Sequence, residues 1–188
     1  MRKIFISAGH TNVLKPGFDN GASGNGFIEG LLTVGFRDLL VRELNLLGIY
    51  PIIDGNENAL KASINFFKRL ISPNSIALDI HWNSSSNATA TGTETLIPAV
   101  YTNFEYELAS RLSEAVSKTL NIRTRGANGV KTELESHHSS LGWMRLNAEN
   151  VLMEICFISN KSDMDKYISS RIQLAKNIAL ILKEYSSK

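Results

Sequence analysis

Short apolar runs alternating with helical periodicity constrain this chain more than any other feature. Runs suited to buried strands lie at Lys3–Ala8, Ile49–Asp54, Ser75–Ile80, Thr93–Ile97 and Val151–Phe157. Their shortness and bounding turn residues mark strands covered by protein on both faces. Between them the period changes. Over Glu29–Leu47, positions Leu32, Phe36, Leu39, Leu40, Glu43 and Leu47 recur at helical spacing, and Gly48 supplies a stop signal. Asn58–Ile71 reads as a second helix closed by Pro73. Phe104–Leu120 is a third, with Leu108, Leu112, Ala115 and Leu120 inward, and Asp163–Tyr185 a fourth, with Ile168, Ile172, Ala175, Ile178 and Leu182 inward. This alternation predicts an α/β fold, a mostly parallel but mixed sheet of about six strands with helices on both faces. No helix separates Ser75–Ile80 from Thr93–Ile97, which points to an antiparallel member there.

At 188 residues, 43% hydrophobic and 20% charged, the chain can bury one core without disulfides. No repeat, low-complexity tract or Pro/Gly/Ser linker divides it, so residues 1–188 read as a single domain. A formal net charge of +2 is no nucleic-acid footprint, which needs a dense basic stripe. No apolar run is long enough to span a membrane. The start at Met1-Arg2-Lys3 has the charge of a signal peptide. Its apolar part stops at Gly9-His10, however, so a first strand is the expectation. Cys156 is the only cysteine, and its apolar setting suggests an inert buried thiol.

Three polar residues stand at the ends of strand-like runs. His10 follows Ile4–Gly9, His81 follows Ile76–Ile80, and Glu154 interrupts Val151–Ile158. If those strands are parallel neighbours, their side chains meet in the crevice at the carboxyl ends, where open α/β sheets bind ligands. Glu29 joins them from the front of the first helix. Two imidazoles and a carboxylate suit Zn²⁺ with one position left for water, and a second carboxylate can carry protons. Each residue also has a plainer reading. His10 and His81 taken singly are hydrogen-bonded loop or strand-end histidines, and Glu29 is a first-turn acid facing a helix dipole. Glu154 is harder to dismiss, because a carboxylate in an apolar strand needs a partner or a task.

Other features carry less. Gly21-Ala22-Ser23-Gly24-Asn25-Gly26 lacks the Lys-Ser/Thr pair of a phosphate loop and reads as a tight turn around the site. His137 and His138 are adjacent in a polar loop and read as rim residues, with substrate contact as the alternative. Trp82 reads as core or rim packing.

In order and spacing, the chain resembles the zinc-dependent N-acetylmuramoyl-L-alanine amidases of bacteria and their phages. The likeness rests on Ser7–His10, Asp19–Ala22, Glu29, Ser75–Asn83, Thr91–Thr95 and Val151–Asn160. It implies Zn²⁺ held by His10, Glu29 and His81, with Glu154 as the catalytic carboxylate and Asn83 as a substrate contact. The implied substrate is peptidoglycan, cut between N-acetylmuramic acid and L-alanine by a metal-activated water. Departures at Ser7-Ala8, Thr11, Trp82, Ser84 and Cys156 spare all four site residues. A zinc peptidase acting on stem or cross-link peptides is one alternative, and a non-catalytic wall-binding module is another. No separate wall-binding domain is legible. Action on the cell wall without a visible leader implies release through a phage pore, mother-cell lysis or a chain trimmed of its leader.

Overall fold

The computed structural model describes residues 1–57, 60–136 and 139–188. In chain order the elements are β1 (Ile4–Ser7), β2 (Ser23–Gly24), β3 (Phe27–Ile28), α1 (Glu29–Leu46), β4 (Ile52–Ile53), α2 (Leu60–Lys68), β5 (Ile76–Asn83), β6 (Glu94–Ile97), α3 (Asn103–Leu120), β7 (Val130–Thr132), β8 (Glu149–Phe157) and α4 (Lys161–Ser186). Six strands form one mixed sheet in the order β4-β1-β5-β8-β6-β7, as the alternating pattern predicts. β4, β1, β5 and β8 run parallel, while β6 lies antiparallel to β8. The remaining strands, β2 and β3, form a small hairpin in front of α1.

Side-chain alternation along the strands splits the core into two layers. Ile4, Ile6, Ile76, Leu78, Ile80, Val151, Met153 and Ile155 meet Phe36, Leu40, Leu44, Leu108, Leu112, Ile178 and Leu182 from α1, α3 and α4. On the opposite face, Phe5, Ala77, Leu96 and Leu152 pack against Phe67 of α2 and Trp143 and Met144 of a 3-10 turn at Gly142–Arg145. Both faces are therefore covered, by three helices on one side and by α2 with the turn on the other.

The structure adjusts several sequence boundaries. β5 continues through His81 and Asn83, because β8 stays paired with it as far as Phe157. β4 shrinks to Ile52–Ile53, an edge pair beside Pro51, which has no N–H to give the ladder. The expected start of α2 at Asn58 lies outside the described residues, and its end falls at Lys68 instead of Ile71. Ile168 and Ile172 are 37% and 48% exposed, because α4 turns Met164 and Tyr167 inward instead, with Tyr167 edge-on to Trp82. The stretch from Gly126 to Leu141, irregular in sequence, contains β7.

One buried ion pair ties β1, α1, β4 and α2 together. Arg37 Nη1 donates to Asp54 Oδ1 at 2.9 Å, and the hydroxyls of Ser63 and Ser7 donate to Asp54 Oδ2 at 2.6 and 3.2 Å. Removing one partner would strand a buried charge, a loss of about 3–5 kcal/mol. Asp54→Ala should accordingly lower the urea midpoint by that free energy at constant m-value, whereas a change under 1 kcal/mol would show the pair to be dispensable.

Candidate metal centre

The parallel register of β1, β5 and β8 decides what can meet at the carboxyl edge of the sheet. Ser7 is level with Asp79, and His81 is level with Glu154. After Ser7 the chain turns through Gly9 at φ +63°, where a Cβ would stand 2.5 Å from both His81 Nε2 and the Ile80 carbonyl. Only glycine permits that turn and that approach together, and it delivers His10 beside His81. Their rings meet edge-on, with centroids 4.9 Å apart.

The β2–β3 hairpin brings in the third residue. Ala22 N–H donates to Glu29 Oε2 at 2.8 Å, and the Glu29 N–H donates back to the Ala22 carbonyl at 2.9 Å. Gly21, at φ +69°, leaves the space that the carboxylate fills; a Cβ there would lie 2.5 Å from Glu29 Oε2 and 2.7 Å from His10 Cδ2. Glu29 is 4% exposed, and its other oxygen, Oε1, accepts from the Trp82 N–H at 2.9 Å.

Around Oε1 the ligand-type atoms gather. His10 Nε2 is 3.5 Å from it and His81 Nδ1 is 3.2 Å from it, and one such atom from each of the three residues lies within 4.8 Å of the others. A tetrahedral zinc with bonds of about 2.0–2.1 Å spaces its ligand atoms roughly 3.3 Å apart. The three residues therefore fit a small cation of this kind in both spacing and donor chemistry.

Each outer nitrogen faces a carboxylate, although His10 Nδ1 makes no hydrogen bond among the described residues. Asp79 Oδ2 is 3.1 Å from His81 Nε2, and Asp19 Oδ1 is 3.3 Å from His10 Nδ1. A carboxylate behind an imidazole fixes its tautomer and leaves the facing nitrogen free to ligate. Electrostatics follow this geometry. Burial works against a charged His81, but Asp79 and Glu29 outweigh it and hold the imidazole well above the usual histidine range. Burial likewise opposes ionised Glu29, yet His81, His10 and the Trp82 amide keep its carboxyl below the ordinary value.

Glu154 behaves in the opposite way. Burial pushes its carboxyl up to about 8, opposed by the charge of His81 and reinforced by Glu29, Glu94 and Asp79. Its Oε2 is buried and has no hydrogen-bond partner among the described residues. A cation at the neighbouring cluster would favour the ionised form of such a group. His10, Glu29, His81, Asn83 and Glu154 all line one cleft of about 730 Å³. Asn83 reaches it through an irregularity in β5 beyond His81 and donates its amide to Glu94 Oε1 at 2.9 Å.

The sequence reading missed Asp79 and Glu94. Both are carboxylates inside apolar strand runs, the feature that singled out Glu154, so the same test would have found them. Trp82 and Cys156 are buried in the core, as expected. His137 and His138 lie outside the described residues.

The comparisons with known proteins bear on the same chain. A family profile described as N-acetylmuramoyl-L-alanine amidase matches residues 4–184. The uncharacterized protein YqiI of Bacillus subtilis is 30% identical over 175 residues, which are 92% of this chain and 78% of that protein. A crystal structure from Neisseria meningitidis, assigned as an N-acetylmuramoyl-L-alanine amidase, superposes with a TM-score of 0.79 at 26% identity, covering 97% of this chain and 94% of that one. The N-acetylmuramoyl-L-alanine amidase of Clostridium difficile 630 shares the fold with a TM-score of 0.76 at 22% identity, covering 100% of this chain and 97% of that one. With the profile running over nearly every element of the sheet and through the histidines and carboxylates of the cleft, this chain belongs to the N-acetylmuramoyl-L-alanine amidase family.

Proposed function

We propose that this amidase cleaves peptidoglycan at the bond between the lactyl group of N-acetylmuramic acid and the L-alanine of the stem peptide, using Zn²⁺ held by His10, Glu29 and His81. The observation that carries the proposal is the gathering of those three side chains beside a carboxylate whose buried Oε2 has no hydrogen-bond partner among the described residues. Two imidazoles and one carboxylate suit zinc better than the harder, all-oxygen cations. When bound, the ion supplies a water acidic enough to ionise near neutral pH and a Lewis acid for the scissile carbonyl.

The chain's own residues do the rest. Glu154 takes a proton from the attacking water as the new C–O bond forms. It returns that proton to the alanine nitrogen as the C–N bond breaks. Asp79 orients the His81 imidazole, Asp19 stands beside that of His10, and the Ala22 and Trp82 amides keep the Glu29 carboxylate in place. Asn83 borders the substrate path, its amide held by Glu94. The place of action is then the cell wall. No helix among the described residues is long and apolar enough to cross a membrane.

Three substitutions separate the roles. Glu154→Gln should retain zinc by elemental analysis while turnover of purified walls, followed by mass spectrometry of new L-alanine amino termini, falls by about 10²–10⁴. Near-parental turnover would remove Glu154 from the reaction. His81→Ala should lose stoichiometric zinc, and an unchanged metal content would count against ligation. Asp79→Ala should keep the ligands yet weaken zinc binding in a chelator competition by about 10–100-fold, and parental affinity would show that His81 needs no support.

A further inference from the structure

Past Glu154 the sheet carries a second set of charged groups toward the β7 edge. Along the sheet order the chemistry runs from His10 beyond β1, through His81 on β5 and Glu154 on β8, to Glu94 on β6 and Lys131 on β7. Glu94 is level with Glu154, and Lys131 with Leu96, so these side chains share the cleft face of the sheet. Arg125 enters from the segment hydrogen-bonded to Thr93, its N–H on the Thr93 carbonyl at 2.9 Å.

Glu94 organises this corner. Its Oε2 takes Arg125 Nε at 2.8 Å and Lys131 Nζ at 2.6 Å, while Oε1 takes the Asn83 amide. Both hydrogen-bonding oxygens are thereby engaged, yet the two cations keep donors unspent. Among the described residues neither Nη of Arg125 has a hydrogen-bond partner. Its guanidinium is steadied over the Phe157 ring, 4.9 Å from the centroid. Arg125 and Lys131 are 27% and 18% exposed, and both line the cleft. Glu135, the other acid on this side, has Oε2 occupied by the Thr132 N–H at 2.8 Å and the Thr132 hydroxyl at 3.1 Å. A guanidinium and an ammonium clamped on one buried carboxylate, with donors left for solvent, form a preorganised receptor for a second carboxylate.

We infer that Arg125 and Lys131 bind a free carboxylate of the stem peptide and so set which stems this enzyme accepts. The inference rests on the amidase reading above. Strands lie about 4.8 Å apart, so the cations stand roughly 5–10 Å across the sheet from Glu154. Peptide spans about 3.3–3.6 Å per residue, so that distance is covered within the first three stem residues. The acidic second residue, a γ-linked glutamate bearing a free α-carboxylate, falls in this range. A third residue with a side-chain carboxylate falls there as well.

The test uses the zinc-loaded enzyme on four synthetic muramoyl tripeptide amides. The second residue is D-isoglutamate or D-isoglutamine, and the third is L-lysine or meso-diaminopimelate. We expect kcat/KM to be at least tenfold higher with D-isoglutamate than with D-isoglutamine. Arg125→Met and Lys131→Met should each lose most of that preference, through KM, with each rate taken relative to that on the isoglutamine–lysine substrate so that any loss common to all four substrates cancels. That substrate carries no stem carboxylate and serves as the control for folding. A preference that instead follows the third residue, and is lost in the same variants, also supports the pair as a carboxylate receptor and assigns its ligand to that residue. Equal parental rates on all four substrates would overturn the inference and leave the amidase reading intact, as would equal losses on all four in the variants. Cleavage of none of them by the zinc-loaded parent would instead remove the amidase reading itself.

Discussion

Everything in the cleft depends on the in-register parallel pairing of β5 with its neighbours. Because side chains alternate with a period of two, a slip of one residue between β5 and β8 would turn either His81 or Glu154 away from the cleft. The apolar residues on the same strands oppose such a slip. Leu78, Ile80, Val151 and Met153 would have to leave the layer under α1, α3 and α4, exchanging burial for exposure or collision. The force that aligns the chemistry is therefore hydrophobic, although the chemistry itself is polar. Parallel pairing then places the carboxyl ends of β1, β5 and β8 on one edge, where loops can vary without disturbing the ladder.

Buried charge is handled differently on the two sides of the sheet edge. Asp54 is matched by Arg37 and two serine hydroxyls, and Glu133 by Arg145 and the Leu141 and Ala99 amides. Those arrangements are closed, and their work is to hold segments together. In the cleft the matching is left open. His81 stands between Asp79 and Glu29, which favours a positive charge at that point, whether a proton or a cation. Burial, reinforced by the charges of Glu29, Glu94 and Asp79, holds the Glu154 proton more tightly than a carboxyl normally holds one, and its Oε2 has no hydrogen-bond partner among the described residues. An unmatched buried carboxylate is costly to a fold, and its position next to a cation cluster gives that cost a chemical purpose.

The same logic extends across the cleft. Glu94 lies between Glu154 and the Arg125–Lys131 pair, holding both cations on one oxygen and Asn83 on the other. Substrate entering along this row would meet the ligand cluster, the proton carrier and the cationic corner in strand order. On the proposed reading, a single mixed sheet would order recognition and reaction along one axis.

Much of this was legible before any coordinates. The five apolar runs and the four periodic stretches locate the strands and helices to within a few residues, because burial on both faces and on one face leave different periods in a sequence. Glu154 was also visible as a carboxylate in an apolar run, and His10 and His81 as polar residues just past strand ends, whereas Glu29 alone reads as an ordinary first-turn acid. What the chain could not announce is how distant segments pair. β7 is three residues long, and the hairpin β2–β3 has two residues per strand, so neither leaves a period to detect. Asp79 and His81, two residues apart on β5, share a face by strand alternation alone, but the partnership of Glu94 with Arg125, Lys131 and Asn83 exists only once register is set. Local periodicity is written into adjacent residues, whereas these contacts join positions up to 37 residues apart, as from Glu94 to Lys131. Only the folded sheet supplies that distance information.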